Sequence, residues 1–231
     1  MRTRKFTRRE ALGAMGAASA AIAVGCGGSP TSPSSTSTNT NTTTSTNAAC
    51  AATPTETAGP FPSLTDLFRS DIRDGKSGAL LTLTVRVVNT GAACAAVSGA
   101  NVEIWHCDVV GDYSQYGTQT AQTFLRGIQT TNSNGEVTFT TIYPGWYQGR
   151  ATHIHVEVTV GGVSRKVTQI AFPESVNNVV HTSGVYASRG TNPTSNTSDG
   201  IFADSLASEL VTPTGSVTAG YSATFQVGIS V

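Results

Sequence analysis

Apolar and polar residues alternate along much of the chain after residue 80, with the period of two that a half-buried β-strand requires. The segments NSNGE and VGGV have the composition of hairpin turns. Only DGIFADSLASELV, residues 199–211, has the spacing of a short helix. Short strands and close turns predict an all-β fold, an antiparallel β-sandwich with short helical loops. The predicted strands are 80–89, 101–109, 136–142, 153–160, 165–172 and 222–231.

The first 52 residues follow a different pattern. Residues 1–25 combine a basic start, the pair Arg8 and Arg9 and a short Ala-rich stretch, which predicts a twin-arginine-type lipoprotein signal peptide and not a membrane span. The segment AVGC places Cys26 where a lipobox carries its lipidated cysteine; the alternative is an ordinary cleaved signal with an incidental cysteine. Residues 26–52, rich in Ser, Thr and Asn, predict a flexible tether. We therefore expect an exported, periplasmic or cell-envelope protein with one folded domain over 53–231, anchored to the membrane only through a lipid.

Charge and cysteine content narrow the classes of function. The chain has 14 basic and 14 acidic residues, so it lacks the positive excess that binding to nucleic acid requires. Beyond Cys26 there are three cysteines, Cys50, Cys94 and Cys107, which allow one disulfide and leave one thiol over without indicating the pairing. No CxxC motif is present, which argues against a cysteine zinc cluster.

Two of the four histidines, His153 and His155, lie two positions apart in one predicted strand and therefore share a face. Such a pair occurs in zinc, copper and iron sites alike. Tyrosines accompany this pair, and a phenolate is a hard anionic donor that favours Fe(3+). We assign Trp105 and His106 to core support, because Cys107 and Asp108 beside them complete no ligand cluster.

The order of these motifs resembles the intradiol ring-cleavage dioxygenases, the family of catechol and protocatechuate dioxygenases. The matching segments are WHCDVVGDY ending at Tyr113, PGWY ending at Tyr147, RATHIH beginning at Arg150, and TQI with Gln169. The segment TPTETAGPFP also resembles the start of the family's catalytic domain. The resemblance covers about residues 53–231 and is nearest to exported single-domain members.

Carried over position by position, the resemblance implies that Tyr113, Tyr147, His153 and His155 bind Fe(3+). It also implies that Tyr147 accepts a substrate proton, that Arg150 stabilises negative charge on the substrate ring, and that Gln169 is its hydrogen-bonding companion. Tyr116 and Tyr143 are nearby tyrosines outside the motif positions. The implied reaction cleaves a catechol-type ring with O2 to a cis,cis-muconate-type dicarboxylic acid.

Two other classes of protein are compatible with two histidines on an exported β-sandwich. One is a transthyretin-like binding module in which the histidines are structural, and the other is a copper or zinc protein that uses the H-x-H pair. Neither class requires Tyr113 and Tyr147 beside the histidines, and neither would be coloured by tyrosinate bound to iron.

Overall fold

The computed structural model describes residues 50–231. The predicted signal peptide, Cys26 and the predicted tether up to residue 49 lie outside this range. Within it, the two α-helices are α1 (Glu174–His181) and α2 (Leu206–Glu209). The strands are β1 (Leu80–Asn89), β2 (Ala95–Ala96), β3 (Asn101–Trp105), β4 (Arg126–Thr130), β5 (Glu136–Ile142), β6 (His153–Val160), β7 (Val163–Ala171), β8 (Thr214–Ser216) and β9 (Gly220–Ile229).

The strands form two sheets that enclose one apolar core. One sheet has the order β2-β1-β9-β8, with β5 also paired to β1, and the other has the order β4-β3-β6-β7. Alternate residues of β1 and β9, among them Leu83, Val85 and Phe225, are buried and meet Ile154 and Val156 of β6. This arrangement confirms the predicted all-β sandwich. All strand pairs are antiparallel except β1 and β9, which pair in parallel.

Several predicted elements need correction. The strand predicted over 101–109 ends at Trp105, and NSNGE is not a hairpin between paired strands, because β4 and β5 belong to different sheets. The helix predicted over 199–211 is reduced to the four residues of α2. The elements α1, β2, β4 and β8 were not predicted. In contrast, VGGV does join the paired strands β6 and β7.

The segment from residue 53 to residue 63, here called the N-terminal strap, is hydrogen-bonded to both sheets. Its Thr53 N–H donates to Gly228 O at 3.0 Å, and its Glu56 N–H donates to Val167 O at 2.9 Å. A disulfide between Cys50 and Cys94 fixes the chain three residues before the predicted domain start, and Cys107 is the free, buried thiol. None of the helices within residues 50–231 has the length and apolar character needed to cross a bilayer.

Candidate metal centre

The predicted site residues meet at one end of the four-stranded sheet. His155 of β6 pairs with Trp105 of β3 on one side and with Gln169 of β7 on the other. His153 begins β6 and faces the same way as His155, as the period of a strand requires. Tyr113 lies in the loop after β3, and Tyr147 lies in the loop before β6. The sheet thus positions the imidazoles, and two loops position the phenols.

The two tyrosine loops are held together by a turn built on Asp108. Its carboxylate accepts hydrogen bonds from the backbone N–H groups of Val110 and Asp112, each at 3.0 Å, which is the local bonding that makes Asp a turn residue. Gly145 of the PGWY segment packs against this turn, and a Cβ at Gly145 would overlap the carbonyl oxygen of Asp108. The close approach brings the Tyr113 and Tyr147 rings to 5.7 Å between centroids.

The two histidines are buried, and both are neutral at neutral pH. Burial lowers the pKa of His153 to about 3, and burial together with His153 and the positive charge of Arg150 holds the pKa of His155 well below its ordinary value. Nδ1 of His153 donates to Ala151 O at 2.6 Å, which leaves a lone pair on its Nε2. That atom lies 3.1 Å from Nε2 of His155. Two neutral imidazoles therefore present facing nitrogens at one point.

The phenol rings of Tyr147 and Tyr113 lie beside the two imidazoles. The ring of Tyr147 is 5.6 Å from that of His153, and the ring of Tyr113 is 6.3 Å from that of His155. Burial raises the pKa of both phenols, well above the ordinary value for Tyr113. The hydroxyl of Tyr113 is buried without a hydrogen-bond partner in residues 50–231, which costs about 1–3 kcal/mol if nothing binds it. The cost is removed when a ligand binds that oxygen.

Tyr116 and Tyr143 have other roles. Tyr116 donates its hydroxyl to Pro62 O at 2.7 Å, and Tyr143, which lies in the main core, donates to Asn177 Oδ1 at 2.7 Å. Both hydroxyls are therefore engaged, whereas the Tyr113 hydroxyl is not.

The two imidazole nitrogens are spaced to bind one metal ion. Two nitrogens bound to one ion at about 2.1 Å lie roughly 3.0–3.4 Å apart for angles from square to tetrahedral, and the observed separation of the His153 and His155 Nε2 atoms is 3.1 Å. No group of three or more His, Cys, Asp or Glu side chains within residues 50–231 could hold a metal. The phenols of Tyr113 and Tyr147 lie beside the two histidines, and anionic oxygen donors suit a hard, highly charged cation.

Arg150 and Gln169 form a second polar group beside the imidazoles. Nη2 of Arg150 donates to Gln169 Oε1 at 2.6 Å, and Gln169 Nε2 donates to Thr57 O of the N-terminal strap at 2.9 Å. Nε of Arg150 donates to Asp199 Oδ2 at 2.8 Å. Burial alone would raise the pKa of Asp199. The effect of burial is outweighed by the hydrogen bonds from the N–H groups of Ala151 and Ile201 and by the positive charge of Arg150, so the pKa is lowered. Asp199 was not predicted, since an Asp in a polar loop carries no local signal of its partner.

Trp105 and His106 are buried next to the site and have the supporting role in the core that was predicted. The indole of Trp105 stacks on the His155 ring at 4.9 Å and an interplanar angle of 2°. His106 uses both ring nitrogens, on Cys107 O and on Thr141 Oγ1, each at 2.8 Å. Gly59 of the strap also lies against the His155 ring, and a Cβ added there would be 3.0 Å from Cε1.

The sequence predicts that FRSDIRDG, residues 68–75, and GDYSQYGTQTAQTFLRG, residues 111–127, contribute to the rim of the pocket, and the second of these segments lies beside the site. The loop from Gly111 to Gln119 and the ring of Phe61 line a cavity of about 150 Å³ next to Tyr113. Residues 69–75 of the other segment line a separate surface depression together with Lys76. Phe61 stacks on Tyr113 with centroids 4.7 Å apart, a contact that the sequence did not predict.

Comparison with known proteins bears on the family and on the fold. A family model described as Dioxygenase matches residues 57–191, more than half of the 231 residues. An intradiol ring-cleavage dioxygenase from Tetranychus urticae has a TM-score of 0.73 and 29% identity, over 78% of this chain and 95% of that one. The dioxygenase domain of a dioxygenase carbohydrate-binding protein fusion from Streptomyces sp. SirexAA-E has a TM-score of 0.61 and 27% identity, over 78% of this chain and 99% of that one.

A more distant likeness supports the fold alone. Catechol 1,2-dioxygenase from Pseudomonas arvilla C-1 has a TM-score of 0.57 and 19% identity, over 77% of this chain and 62% of that one. From the family model and the structures together, the chain belongs to the intradiol ring-cleavage dioxygenases.

Proposed function

We propose that Tyr113, Tyr147, His153 and His155 bind Fe(3+), and that the enzyme cleaves a catechol-type ring with O2 to a cis,cis-muconate-type dicarboxylic acid. One observation carries the proposal: two buried, neutral imidazoles have facing nitrogens 3.1 Å apart, and the rings of Tyr147 and Tyr113 lie beside them, with centroids 5.6 Å from His153 and 6.3 Å from His155. A binding module has no use for the buried Tyr113 hydroxyl that lacks a hydrogen-bond partner within residues 50–231, and a copper or zinc site does not require two phenols.

Bound there, ferric iron would supply the Lewis acidity that draws electron density out of a chelating catecholate and makes its ring reactive toward O2. The remaining chemistry belongs to side chains of this chain. Arg150 is 14% exposed and is oriented by Asp199 and Gln169, so its permanent positive charge can stabilise negative charge on a substrate ring. Tyr147 is half-buried while Tyr113 is fully buried, so Tyr147 is the phenol better placed to accept a substrate proton.

A visible spectrum of the iron-loaded full chain tests the metal assignment. Tyrosinate bound to Fe(3+) should give a broad visible absorption band that shifts when catechol is added without oxygen. Tyr113→Phe and His155→Ala should abolish or strongly reduce the band. Tyr116→Phe is the matched control, because that hydroxyl bonds Pro62 O and should leave the band unchanged. A colourless iron-loaded protein that binds zinc or copper tightly would refute the assignment.

Product analysis tests the reaction itself. Turnover of catechol under ¹⁸O₂ should place both labelled atoms in a ring-opened dicarboxylic acid. A product with one labelled atom, or an aldehyde from cleavage beside the two hydroxyls, would contradict intradiol chemistry.

We further propose that the protein is exported and anchored through a lipid on Cys26. The Cys50–Cys94 disulfide supports the proposed export, because such bonds persist in oxidising compartments. Cell fractionation and labelling with a radioactive fatty acid should give a lipidated envelope protein. Cys26→Ser should remove the label, and recovery of unlabelled wild-type protein from the cytoplasm would refute the proposal.

A further inference from the structure

Arg126, the first residue of β4, is a buried positive charge that the proposed chemistry does not use. Its side chain is 1% exposed and, among the residues from 50 to 231, forms no ion pair with a carboxylate. A buried charge without an anionic partner is costly unless its hydrogen bonds are satisfied. Such a residue calls for a structural or functional reason.

The guanidinium of Arg126 is satisfied by four hydrogen bonds to two separate segments. Nε donates to Ser114 Oγ at 2.9 Å, and Nη2 donates to Ser114 O at 2.7 Å. Nη1 donates to Phe61 O at 3.0 Å and to Ser63 Oγ at 3.2 Å, both in the N-terminal strap. The planar fork of an arginine can hold two segments at once in this way, whereas a lysine offers a single charged point.

Both segments determine where the Tyr113 ring lies. Ser114 is the next residue along the backbone, so its two bonds to Arg126 fix the chain at the Tyr113 position. Phe61 stacks on the Tyr113 ring with centroids 4.7 Å apart and an angle of 26° between the planes. Tyr113 has no hydrogen bond of its own to orient it within residues 50–231. Its orientation therefore depends on contacts that Arg126 holds.

We propose that Arg126 is a positioning residue, which clamps the strap to the Tyr113 loop and so holds the Tyr113 phenol toward the two histidines. The inference rests on the proposed function, because the purpose of the clamp is to place a metal ligand. The guanidinium carbon lies over the Tyr113 ring, 5.8 Å from its centroid, so Arg126 also contacts the phenol that it positions.

The test compares full-length Arg126→Met and Arg126→Lys with wild type, first without metal. Hydrogen exchange should be at least about tenfold faster at residues 57–63 and 111–116 in both variants, while the β1–β9 pair stays protected. Arg69→Met is the matched control: Arg69 also donates to backbone carbonyls, those of Arg126 and Thr123, but reaches neither Ser114 nor Phe61. It should leave exchange at both segments as in wild type.

The second measurement uses iron. Affinity for Fe(3+) should fall about 10- to 100-fold in Arg126→Met, the usual cost of losing a residue that orients a metal ligand, and the tyrosinate absorption should shift or weaken. If Arg126→Lys matches wild type in both measurements, charge alone suffices and the clamp is refuted. Unchanged exchange and absorption in Arg126→Met would also refute it.

A failure of the proposed function can be distinguished from a failure of the Arg126 proposal. Wild-type protein would then show no tyrosinate band, while the metal-free exchange comparison would still decide whether Arg126 holds the strap to the Tyr113 loop. Should Arg126→Met fail to fold, Arg126→Lys supplies both measurements with the charge retained.

Discussion

Replacing Asp199 by Asn tests how Arg150 is held. The carboxylate accepts three hydrogen bonds: Oδ2 accepts from Arg150 Nε at 2.8 Å and from Ala151 N at 2.7 Å, and Oδ1 accepts from Ile201 N at 2.8 Å. An amide offers one oxygen and one NH2 group, so at least one of these donors would face another donor. The change also removes the negative charge that balances Arg150.

The size of the effect follows from burial. The Asp199 side chain is 1% exposed and that of Arg150 is 14% exposed, so solvent screens the pair little. Breaking a buried pair costs about 3–5 kcal/mol, and the partial exposure of Arg150 places the expected loss near 3 kcal/mol. For a domain of this size, that loss lowers the melting temperature by about 6–12 °C. Because Arg150 is no longer oriented, kcat for catechol should also fall about 10- to 100-fold, more than KM rises.

Calorimetry and steady-state kinetics on Asp199→Asn check both numbers. Asp71→Asn is the matched control, since Asp71 also pairs with an arginine, Arg73, but the two side chains are 51% and 43% exposed. Exposed pairs contribute about 0–1 kcal/mol, so this variant should melt and turn over like wild type. A melting temperature within 2 °C of wild type together with unchanged kcat in Asp199→Asn would show that Arg150 does not depend on Asp199.

Three further predictions concern the surroundings of the site. Trp105→Leu removes the stack on His155 and should weaken Fe(3+) binding about 10- to 100-fold by titration, and unchanged affinity would contradict a role for the stack. Reducing the Cys50–Cys94 disulfide, which spans 44 residues, should lower the free energy of unfolding by about 4 kcal/mol in urea titrations with and without reductant. Burial lowers the pKa of His106 from 6.5 to about 4, so its contribution to stability is complete above pH 6.5 and is lost as pH falls toward 4; His106→Gln should flatten the decline in the free energy of unfolding between pH 7 and pH 5, measured by urea titration, by up to about 1.4 kcal/mol per pH unit.

The parts of the fold that the sequence predicts well are those with a local period. The bounds of β1, β5 and β6 agree with the alternation of apolar and polar residues, because one face of each strand packs in the core. In contrast, β4 has the sequence RGIQT, in which a buried arginine and a glycine replace the apolar residues of an alternating strand. The charge of Arg126 is accommodated by carbonyl and hydroxyl groups far away in sequence, which no window of a few residues contains.

The same distinction applies to the candidate site. The tyrosines, histidines, Arg150 and Gln169 occur in motifs and could be predicted from the residues together with a family resemblance. Their supports could not: Asp199 lies 49 residues from Arg150, and Phe61 lies 65 residues from Arg126. The pairing of Cys50 with Cys94 likewise depends on where the strap begins, which only the folded chain determines.

The two kinds of candidate ligand are held by different physical means, and this bears on which of them can move. His153 and His155 lie on β6, an interior strand bonded on both sides, so their backbone is fixed by the sheet. Tyr147 lies in a loop and is followed by the exposed residues Gln148 and Gly149. Movement of a loop phenol breaks no sheet hydrogen bonds, whereas movement of either histidine would. Under the proposed function, the histidines on the sheet would hold the metal ion in place, and Tyr147 on its loop would be the ligand whose movement disturbs the sheet least.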